Sequence, residues 1–263
     1  MNHINRAIIL AAGRGTRLGT LTANRPKPMV PLCGKPILER ITEGLRDAGV
    51  SKFLFVIGYR GEAIREYFGD GSQLHVSIEY VEQTNPNGTG SALMLGTQWA
   101  SRDPESPILV SYGDIYTDPR HYTAIRDEFL SSPCTAVIGI NPVDDPSAGA
   151  AVYRDGNRIT RVVEKPPKGT SQSKWNIAGV SVYGPEIWNV LGNLQPSPRG
   201  EIELTDAISA LIHQSEAGGP EVRACEFRGF WSDIGTPEAL AEAEDVCQAL
   251  GLSPAPTAGR EDV

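Results

Sequence analysis

The chain has 263 residues, 40% of them hydrophobic and 21% charged, which is the composition of an ordinary soluble globular protein. Its formal net charge of −8 argues against nucleic-acid binding over a large surface, so any anion site has to be local. No apolar run approaches the ~20 residues that span a bilayer, and the first predicted strand begins too early for a signal peptide. The four cysteines lack the spacing of a metal site. We therefore expect a cytoplasmic protein with reduced thiols and without nucleic-acid or membrane partners.

The first half of the chain alternates predicted strands with predicted helices. An apolar, β-branched run at 7–12 predicts a buried strand. The same criteria, applied along the chain, predict strands at 53–57, 76–81 and 108–110 and helices at 37–48, 62–68 and 88–100. Because the strands alternate with helices, we expect a parallel sheet with helices on both faces.

The pattern changes in the second half of the chain. Four β-like runs follow one another without an obvious helix between them, at 136–140, 150–154, 159–163 and 177–183. We interpret them as a more antiparallel extension of the same sheet. A helix from 187, a helix at 202–214, a strand at 223–227 and a last helix follow, the last with Thr236 as N-cap and Pro237 at its first position. The predicted fold is an α/β, Rossmann-like three-layer sandwich with a mostly parallel central sheet and a β-rich extension.

The first strand ends in a glycine turn surrounded by cations. Gly13 and Gly15 allow backbone N–H groups to approach an anion, and Arg14, Arg17, Arg25 and Lys27 lie close by in the sequence. Phosphate is the ligand that this combination favours, and a purely structural turn is the alternative. The dinucleotide fingerprint does not fit, because Gly19 comes one residue too late and no acidic residue ends the second strand. The Gly-Lys-Ser/Thr of the NTPase loop is absent from the sequence.

Two polar segments follow predicted strands, at the sheet edge where ligands bind in α/β folds, and a third precedes the last helix. Gln83 begins a loop that runs to Gly90, and its side-chain amide offers a hydrogen-bond donor and acceptor to the edge of a nucleotide base. A loop that only caps the next helix would have the same composition. Asp114 follows the fourth strand and Asp233 precedes the last helix. Asp114, directly after a buried strand and a glycine, is well placed for Mg²⁺, and Asp233 supplies a second carboxylate; each could equally form a turn or a helix cap.

The motif Leu10-Ala-Ala-Gly-Arg-Gly-Thr-Arg17, followed by Pro26-Lys-Pro-Met-Val-Pro31, resembles the signature of the sugar-1-phosphate nucleotidylyltransferases. Five motifs in the family's order cover residues 6 to 250. The resemblance implies an enzyme that uses Mg²⁺ to transfer a nucleotidyl group from an NTP to a sugar 1-phosphate, giving an NDP-sugar and pyrophosphate. It implies one nucleotidyltransferase domain over 1–250, with a nucleotide-binding part at 7–135 and a sugar-phosphate-binding part at 136–235. We expect residues 251–263 to form a disordered tail.

The resemblance also implies a role for individual residues. The implied nucleotide-binding residues are Leu10, Ala11, Ala12, Gly13, Gly15, Thr16, Arg17, Lys27, Gln83, Gly88 and Thr89. The implied sugar-phosphate-binding residues are Gly149, Glu164, Lys165, Asn176 and Arg199, and the implied metal ligands are Asp114 and Asp233. The implied catalytic residues are Arg17, Lys27, Asp114, Lys165 and Asp233.

The base, the sugar and the oligomeric state stay open at this stage. Gln83 with Gly88-Thr89-Gly90 favours a pyrimidine nucleotide, UTP or dTTP, but relatives with a similar loop use GTP with mannose or heptose 1-phosphate. A non-catalytic relative that senses nucleotide sugars is the alternative from another class. A glycosyltransferase fits less well, because Asp118 forms no Asp-x-Asp pair with Asp114. A homo-oligomer remains open.

Overall fold

The computed structural model describes residues 3–252, in which strands and helices alternate in the first half and strands cluster in the second. The strands are β1 (Arg6–Ala11), β2 (Pro31–Leu32), β3 (Lys35–Pro36), β4 (Lys52–Ile57), β5 (Ser77–Glu82), β6 (Ile108–Tyr112), β7 (Ile115–Thr117), β8 (Cys134–Pro142), β9 (Ala150–Asp155), β10 (Arg158–Glu164), β11 (Trp175–Tyr183), β12 (Glu221–Glu226) and β13 (Trp231–Asp233). The helices are α1 (Ile37–Asp47), α2 (Gly61–Phe68), α3 (Thr89–Met94), α4 (Thr97–Ala100), α5 (Arg120–Ser131), α6 (Glu186–Asn193), α7 (Leu204–Glu216) and α8 (Pro237–Ala249).

Nine strands form one sheet in the order β5–β4–β1–β6–β11–β8–β12–β10–β9. The strands β5, β4, β1 and β6 are parallel, whereas β11 runs antiparallel to its neighbours β6 and β8. Strands β9 and β10 are also antiparallel to each other. The predicted Rossmann-like sheet with a more antiparallel extension is therefore confirmed. The same sheet runs through both predicted parts, 7–135 and 136–235, and their assignment to the two substrates stays a prediction.

Helices cover both faces of the sheet. Strand β1 shows why, because alternate side chains of a strand point to opposite faces and both faces of this strand are apolar. Ile9 packs into a core with residues of α1, α2, α5 and α8, and Ile8 packs into a second core with residues of α3, α4, α6 and α7. These two cores on either side of one sheet make the three layers that the sequence predicts.

The strand order reverses beside β1. From β1 the chain passes to β4 and β5 on one side, and it then returns to β6 on the other side. Such a reversal opens a crevice at the carboxyl ends of the strands, where ligands bind in α/β folds. The Gly113 N–H donates to the Leu10 carbonyl at 2.9 Å, which holds the end of β6 against the end of β1. The glycine turn and Asp114 therefore meet at this crevice.

Several elements differ from the sequence prediction. The helix predicted at 88–100 is two helices, α3 and α4, separated at Leu95 and Gly96. The helix α5 and the two-stranded pairings β2–β3 and β7–β13 were not predicted. The cap of α8 is as predicted, because the Thr236 hydroxyl accepts the Ala239 N–H at 3.2 Å and Pro237 follows. Of the predicted tail at 251–263, residues 253–263 lie outside the described part of the chain.

Within residues 3–252, no helix has both the length and the apolar character that crossing a membrane requires.

Candidate active site

The glycine turn after β1 closes over the stem of Lys27. Gly15 has a φ of +66°, a left-handed conformation that glycine adopts without strain. A Cβ at Gly15 would lie 2.5 Å from the Lys27 Cβ, so only glycine leaves room for that side chain. Gly13, in contrast, has open space around it. The turn therefore buries Lys27, whose side chain is only 6% exposed, and leaves Gly13 facing the crevice.

The buried ammonium group of Lys27 pairs with Asp114. The Lys27 Nζ lies 2.7 Å from the Asp114 Oδ2, and the Asp114 side chain keeps 36% of its surface exposed. Gly113 is needed beside it, because a Cβ there would lie 2.9 Å from the Ala11 Cβ. The ammonium thus receives the charged partner that burial demands, and one carboxylate faces the crevice.

Asp233 reaches the same place through the short strand pair β7–β13. Asp233 lies opposite Ile115 in this pair, and the Ile234 N–H donates to the Asp114 carbonyl at 3.0 Å. The Trp231 Nε1 donates to the Ala178 carbonyl at 2.8 Å and fastens β13 to β11. The Arg17 guanidinium lies 3.5 Å from the Asp233 Oδ2, with both side chains about half exposed or more.

The two carboxylates suit Mg²⁺. Within residues 3–252, no group of three or more His, Cys, Asp and Glu side chains is arranged to hold a metal ion. Mg²⁺, however, is often bound by one or two carboxylates together with substrate phosphates and water. Asp114 and Asp233 lie on neighbouring strand ends and therefore fit an ion that is shared with a phosphorylated substrate.

The loop between β5 and α3 carries Gln83 and Gly88. The Gln83 N–H donates to the Ile57 carbonyl at 2.7 Å, and the Gln83 Nε2 donates to the Gly88 carbonyl at 3.3 Å. Gly88 has a φ of +114°, and a Cβ there would overlap the Ile202 carbonyl oxygen. The resemblance implies that Gly88 binds the nucleotide; in the structure, the backbone that approaches Gly88 is that of Ile202.

The segment around Gly149 and Lys165 forms the other end of the crevice. The Lys165 N–H donates to the Gly149 carbonyl at 2.8 Å, and Lys165 adopts a left-handed φ of +40°. The Asn176 Oδ1 accepts the Ala150 N–H at 2.9 Å and lies where a Cβ of Gly149 would be. Asn176 therefore fixes this loop, while the Lys165 side chain, 53% exposed, extends into the crevice.

Arg199 lies among three glutamates. Its guanidinium is 3.5 Å from Glu164 and 3.2 Å from Glu201, and it also bonds Glu203. Burial raises the pKa of Glu203, and a hydrogen bond from Glu203 lowers the pKa of Glu201. Among residues 3–252, the ion-pair partners of the Arg199 guanidinium are carboxylates. The contact of Arg199 with a phosphate therefore stays a prediction.

The glycine turn, the two carboxylates, the Gln83 loop and the segment around Gly149 and Lys165 line one cavity of about 540 Å³ at the carboxyl edge of the sheet. The predicted site residues that line it are Leu10, Ala11, Ala12, Gly13, Gly15, Arg17, Lys27, Gln83, Gly88, Thr89, Asp114, Gly149, Glu164, Lys165, Asn176 and Asp233. Arg199 is not among the residues that line the cavity, and the side chain of Thr16 lies outside the described parts. A volume of this size is typical of a site for a small molecule.

The sequence analysis did not assign some of the residues that line the cavity. Tyr112, Trp231, Glu201, Glu203 and Thr205 also face the cavity. For the two glutamates a signal was present, because alternate residues of an extended segment point the same way. Tyr112 and Trp231 flank the two predicted metal ligands and look in the sequence like ordinary core aromatics.

Comparison with known proteins identifies the class. Residues 6–249 match the nucleotidyl transferase family, and the chain belongs to this family. The resemblance found from the motifs is thereby confirmed.

Two relatives and one solved structure illustrate the similarity. The chain is 37% identical over 240 residues to the bifunctional protein GlmU of Methanococcus maripaludis, across 91% of this chain and 53% of that protein. It is 29% identical over 238 residues to a glucose-1-phosphate thymidylyltransferase of Streptomyces griseus, across 90% of this chain and 64% of that protein. The chain thus spans between half and two-thirds of the length of these curated relatives. A crystal structure of UDP-glucose pyrophosphorylase complexed with UDP-glucose has the same fold, with a TM-score of 0.80 and 22% identity over 94% of this chain and 100% of that chain.

Proposed function

We propose that this protein transfers a nucleotidyl group from an NTP to a sugar 1-phosphate and releases pyrophosphate. The observation that carries the proposal is the pairing of two cations with two carboxylates, Lys27 with Asp114 and Arg17 with Asp233, beside the glycine turn. A site that binds phosphates and a divalent cation together needs both kinds of group at one place. Membership of the nucleotidyl transferase family supports the same reaction.

The reaction that we propose is a single in-line displacement. A phosphate oxygen of the sugar 1-phosphate attacks the α-phosphorus of the NTP, and the bond from that phosphorus to the oxygen bridging to the β-phosphate breaks. The electron pair of the broken bond leaves with pyrophosphate. No protein nucleophile is required, so the work of the residues is to align the two substrates and to balance their charge.

Two cationic ends of the cavity divide this work. Arg17 and Lys27, next to the glycine turn, would hold the triphosphate and stabilise the charge that develops on the leaving pyrophosphate. Lys165, at the end of β10, would hold the phosphate of the sugar. Asp114 and Asp233 would hold Mg²⁺, which when bound withdraws charge from phosphate oxygens. The two carboxylates also keep Lys27 and Arg17 in place before substrates arrive.

For the base and the sugar we propose a pyrimidine NTP and a hexose 1-phosphate. Gln83 can present a donor and an acceptor to a base edge. Two similar proteins are named for a pyrimidine nucleotide, the glucose-1-phosphate thymidylyltransferase and the UDP-glucose pyrophosphorylase. GTP with mannose or heptose 1-phosphate is the alternative that the same loop permits.

A substrate panel tests this proposal. UTP, dTTP, GTP, ATP and CTP are each combined with glucose, N-acetylglucosamine, galactose and mannose 1-phosphates, and released pyrophosphate is measured with Mg²⁺ and with EDTA. We expect Mg²⁺-dependent release that requires both substrates and is fastest with UTP or dTTP. Fastest release with GTP would overturn the pyrimidine assignment. Binding of an NDP-sugar without turnover of any pair would favour a non-catalytic sensor.

A further inference from the structure

The backbone of Ile202 joins two loops at the rim of the cavity. Its N–H donates to the Asn87 carbonyl at 2.8 Å, and its carbonyl accepts the N–H groups of Gly90 at 2.9 Å and Ser91 at 3.3 Å. The Leu204 N–H donates to the Thr89 hydroxyl at 3.1 Å. These four hydrogen bonds, which we call the Ile202 bridge, connect segments more than 100 residues apart in the chain.

The glycines of the first loop make the bridge possible. A Cβ at Gly88 would overlap the Ile202 carbonyl oxygen and approach its nitrogen to 2.8 Å. A Cβ at Gly90 would lie 2.9 Å from the same oxygen and 3.0 Å from the Glu203 carbonyl carbon. Separations under 3.0 Å to backbone atoms require the backbone to move, because no flexible side chain can give way. Glycine at 88 therefore fixes how closely the two loops meet.

Each side of the bridge carries cavity-lining groups. On one side, the Gln83 side chain is hydrogen-bonded to the Gly88 carbonyl. On the other side, Glu201 and Glu203 flank Ile202 and line the cavity. Thr205 follows, and its hydroxyl donates to the Glu164 Oε2 at 3.1 Å. A continuous path of hydrogen bonds and peptide units thus runs from Gln83 to Glu164.

We propose that the Ile202 bridge positions both ends of the cavity at once, with Gly88 and Thr89 acting as positioning residues for the sugar-phosphate end as well as the base end. The assignment of ends to substrates rests on the proposed function. Thr89, which the sequence assigned to the nucleotide, uses its hydroxyl in this structure to hold the segment that carries Glu203. Loosening the bridge therefore moves Glu201 and Glu203 relative to Glu164 and Lys165, and small misplacements of binding groups are costly to catalysis.

The first test measures the bridge directly and needs no substrate. Thr89→Val removes the acceptor of the Leu204 N–H, Thr89→Ser keeps it, and Gly88→Ala crowds Ile202. Gly156→Ala is the matched control, because Gly156 also has a positive φ, of +57°, but has open space around it.

Hydrogen exchange of the amides at 200–206 in each variant is compared with that of the wild type. We expect faster exchange in Thr89→Val and Gly88→Ala, and unchanged exchange in Thr89→Ser and Gly156→Ala. Unchanged exchange in Thr89→Val would overturn the proposal.

The second test measures coupling, using the substrate pair that the wild type turns over best. We expect the KM of the sugar 1-phosphate to rise about tenfold in Thr89→Val, together with the KM of the NTP, and to recover in Thr89→Ser. A rise in the KM of the NTP alone would show that the bridge serves only the base end and would contradict the proposal. If the wild type turned over no pair, the proposed function would fail, and hydrogen exchange would still decide whether the bridge holds the 200–206 segment.

Discussion

The Lys27 Nζ lies 2.7 Å from the Asp114 Oδ2, so an ion pair joins two residues that are 87 positions apart in the chain. The pair forms because the glycine turn buries the lysine and because β6 ends beside β1. A buried ammonium without a partner is strongly unfavourable. The same carboxylate that would hold Mg²⁺ therefore also stabilises the folded site.

Removing the charge of Asp114 should affect both rate and stability. In Asp114→Asn we expect turnover to fall at least ~10²-fold, because stabilisation of the phosphate charge is lost. We also expect the free energy of unfolding to fall by about 1–3 kcal/mol, because Lys27 keeps only a neutral partner. Steady-state rates and urea unfolding measure the two effects.

Asp118→Asn is the control, since Asp118 pairs with Arg120 and does not line the cavity. A near-normal rate in Asp114→Asn with Mg²⁺ would remove this residue from the metal site.

The two cationic ends should be separable by mutation. Arg17→Ala should weaken NTP saturation and leave the binding of the sugar 1-phosphate nearly unchanged, and Lys165→Ala should do the opposite. Each side chain would make charge-assisted contacts with one phosphate group, worth about 1.5–3 kcal/mol. Bisubstrate kinetics and calorimetric titration of each substrate report both effects. Equal weakening of the same substrate by both variants would show that the cavity is not divided in this way.

Gln83 should determine the choice of base. Within residues 3–252, its side chain makes one hydrogen bond, to the Gly88 carbonyl, so its amide oxygen remains available to a base. In Gln83→Ala we expect discrimination among NTPs to fall roughly ten- to a hundredfold, because a hydrogen-bonded pair worth ~1–3 kcal/mol is lost. Ratios of kcat/KM for UTP, dTTP and GTP measure this effect. An unchanged order and size of preference would leave Gln83 with a structural role only.

His121 should make stability depend on pH. Its ring stacks on Phe227, its Nδ1 lies 2.6 Å from the Thr117 hydroxyl and its Nε2 lies 2.9 Å from the Arg228 carbonyl. Burial lowers the pKa of His121 below its usual value of 6.5; the hydrogen bond to the Arg228 carbonyl and the charge of Asp118 oppose this shift, and the charge of Arg120 assists it. As the pH falls through 6.5, the unfolded chain takes up a proton that the folded protein takes up less readily, so stability decreases.

Between pH 6.5 and the lowered pKa of the folded protein, the free energy of unfolding falls by up to ~1.4 kcal/mol per pH unit. Urea unfolding of the wild type and of His121→Phe between pH 5 and 8 measures it. The variant keeps an aromatic ring against Phe227 but cannot titrate, so we expect it to be less stable overall and to lose less stability at low pH. Parallel curves for the two proteins would show that His121 does not titrate in this range.

The sequence predicts those parts of the site whose structure follows from a local pattern of adjacent residues. The turn at Gly13 and Gly15 follows a strand of unmistakable apolar pattern, and the edge of a parallel sheet brings Asp114 to it. The strands β7 and β13 have three residues each, too few for a periodic pattern, although they bring Asp233 to Asp114. The helix α5 was missed because only three of its twelve residues are buried, which leaves a weak apolar face.

Contacts between distant segments explain the remaining differences. Gly88 is visible in the sequence as a loop glycine, but the backbone that packs against it, that of Ile202, is supplied by a loop more than 100 residues later. The resemblance implies that Arg199 binds the sugar phosphate, while in the structure Arg199 pairs with Glu164 from β10 and with Glu201 and Glu203. Glu201 and Glu203 lie close to Arg199 in the sequence, but Ile202 as the neighbour of Gly88 and Glu164 as the partner of Arg199 are contacts between distant segments, which no local pattern shows.

Exchange of labelled pyrophosphate into the NTP tests the central claim most directly. Direct displacement leaves the nucleotidyl group on no protein residue, so the label can enter the NTP only by reversal of transfer from an NDP-sugar. We therefore predict that labelled pyrophosphate appears in the NTP when Mg²⁺ and the sugar 1-phosphate are both present, and that the wild type shows no exchange without the sugar 1-phosphate. Exchange with the NTP and Mg²⁺ alone would contradict direct displacement, and the lack of exchange with every substrate pair would contradict nucleotidyl transfer itself.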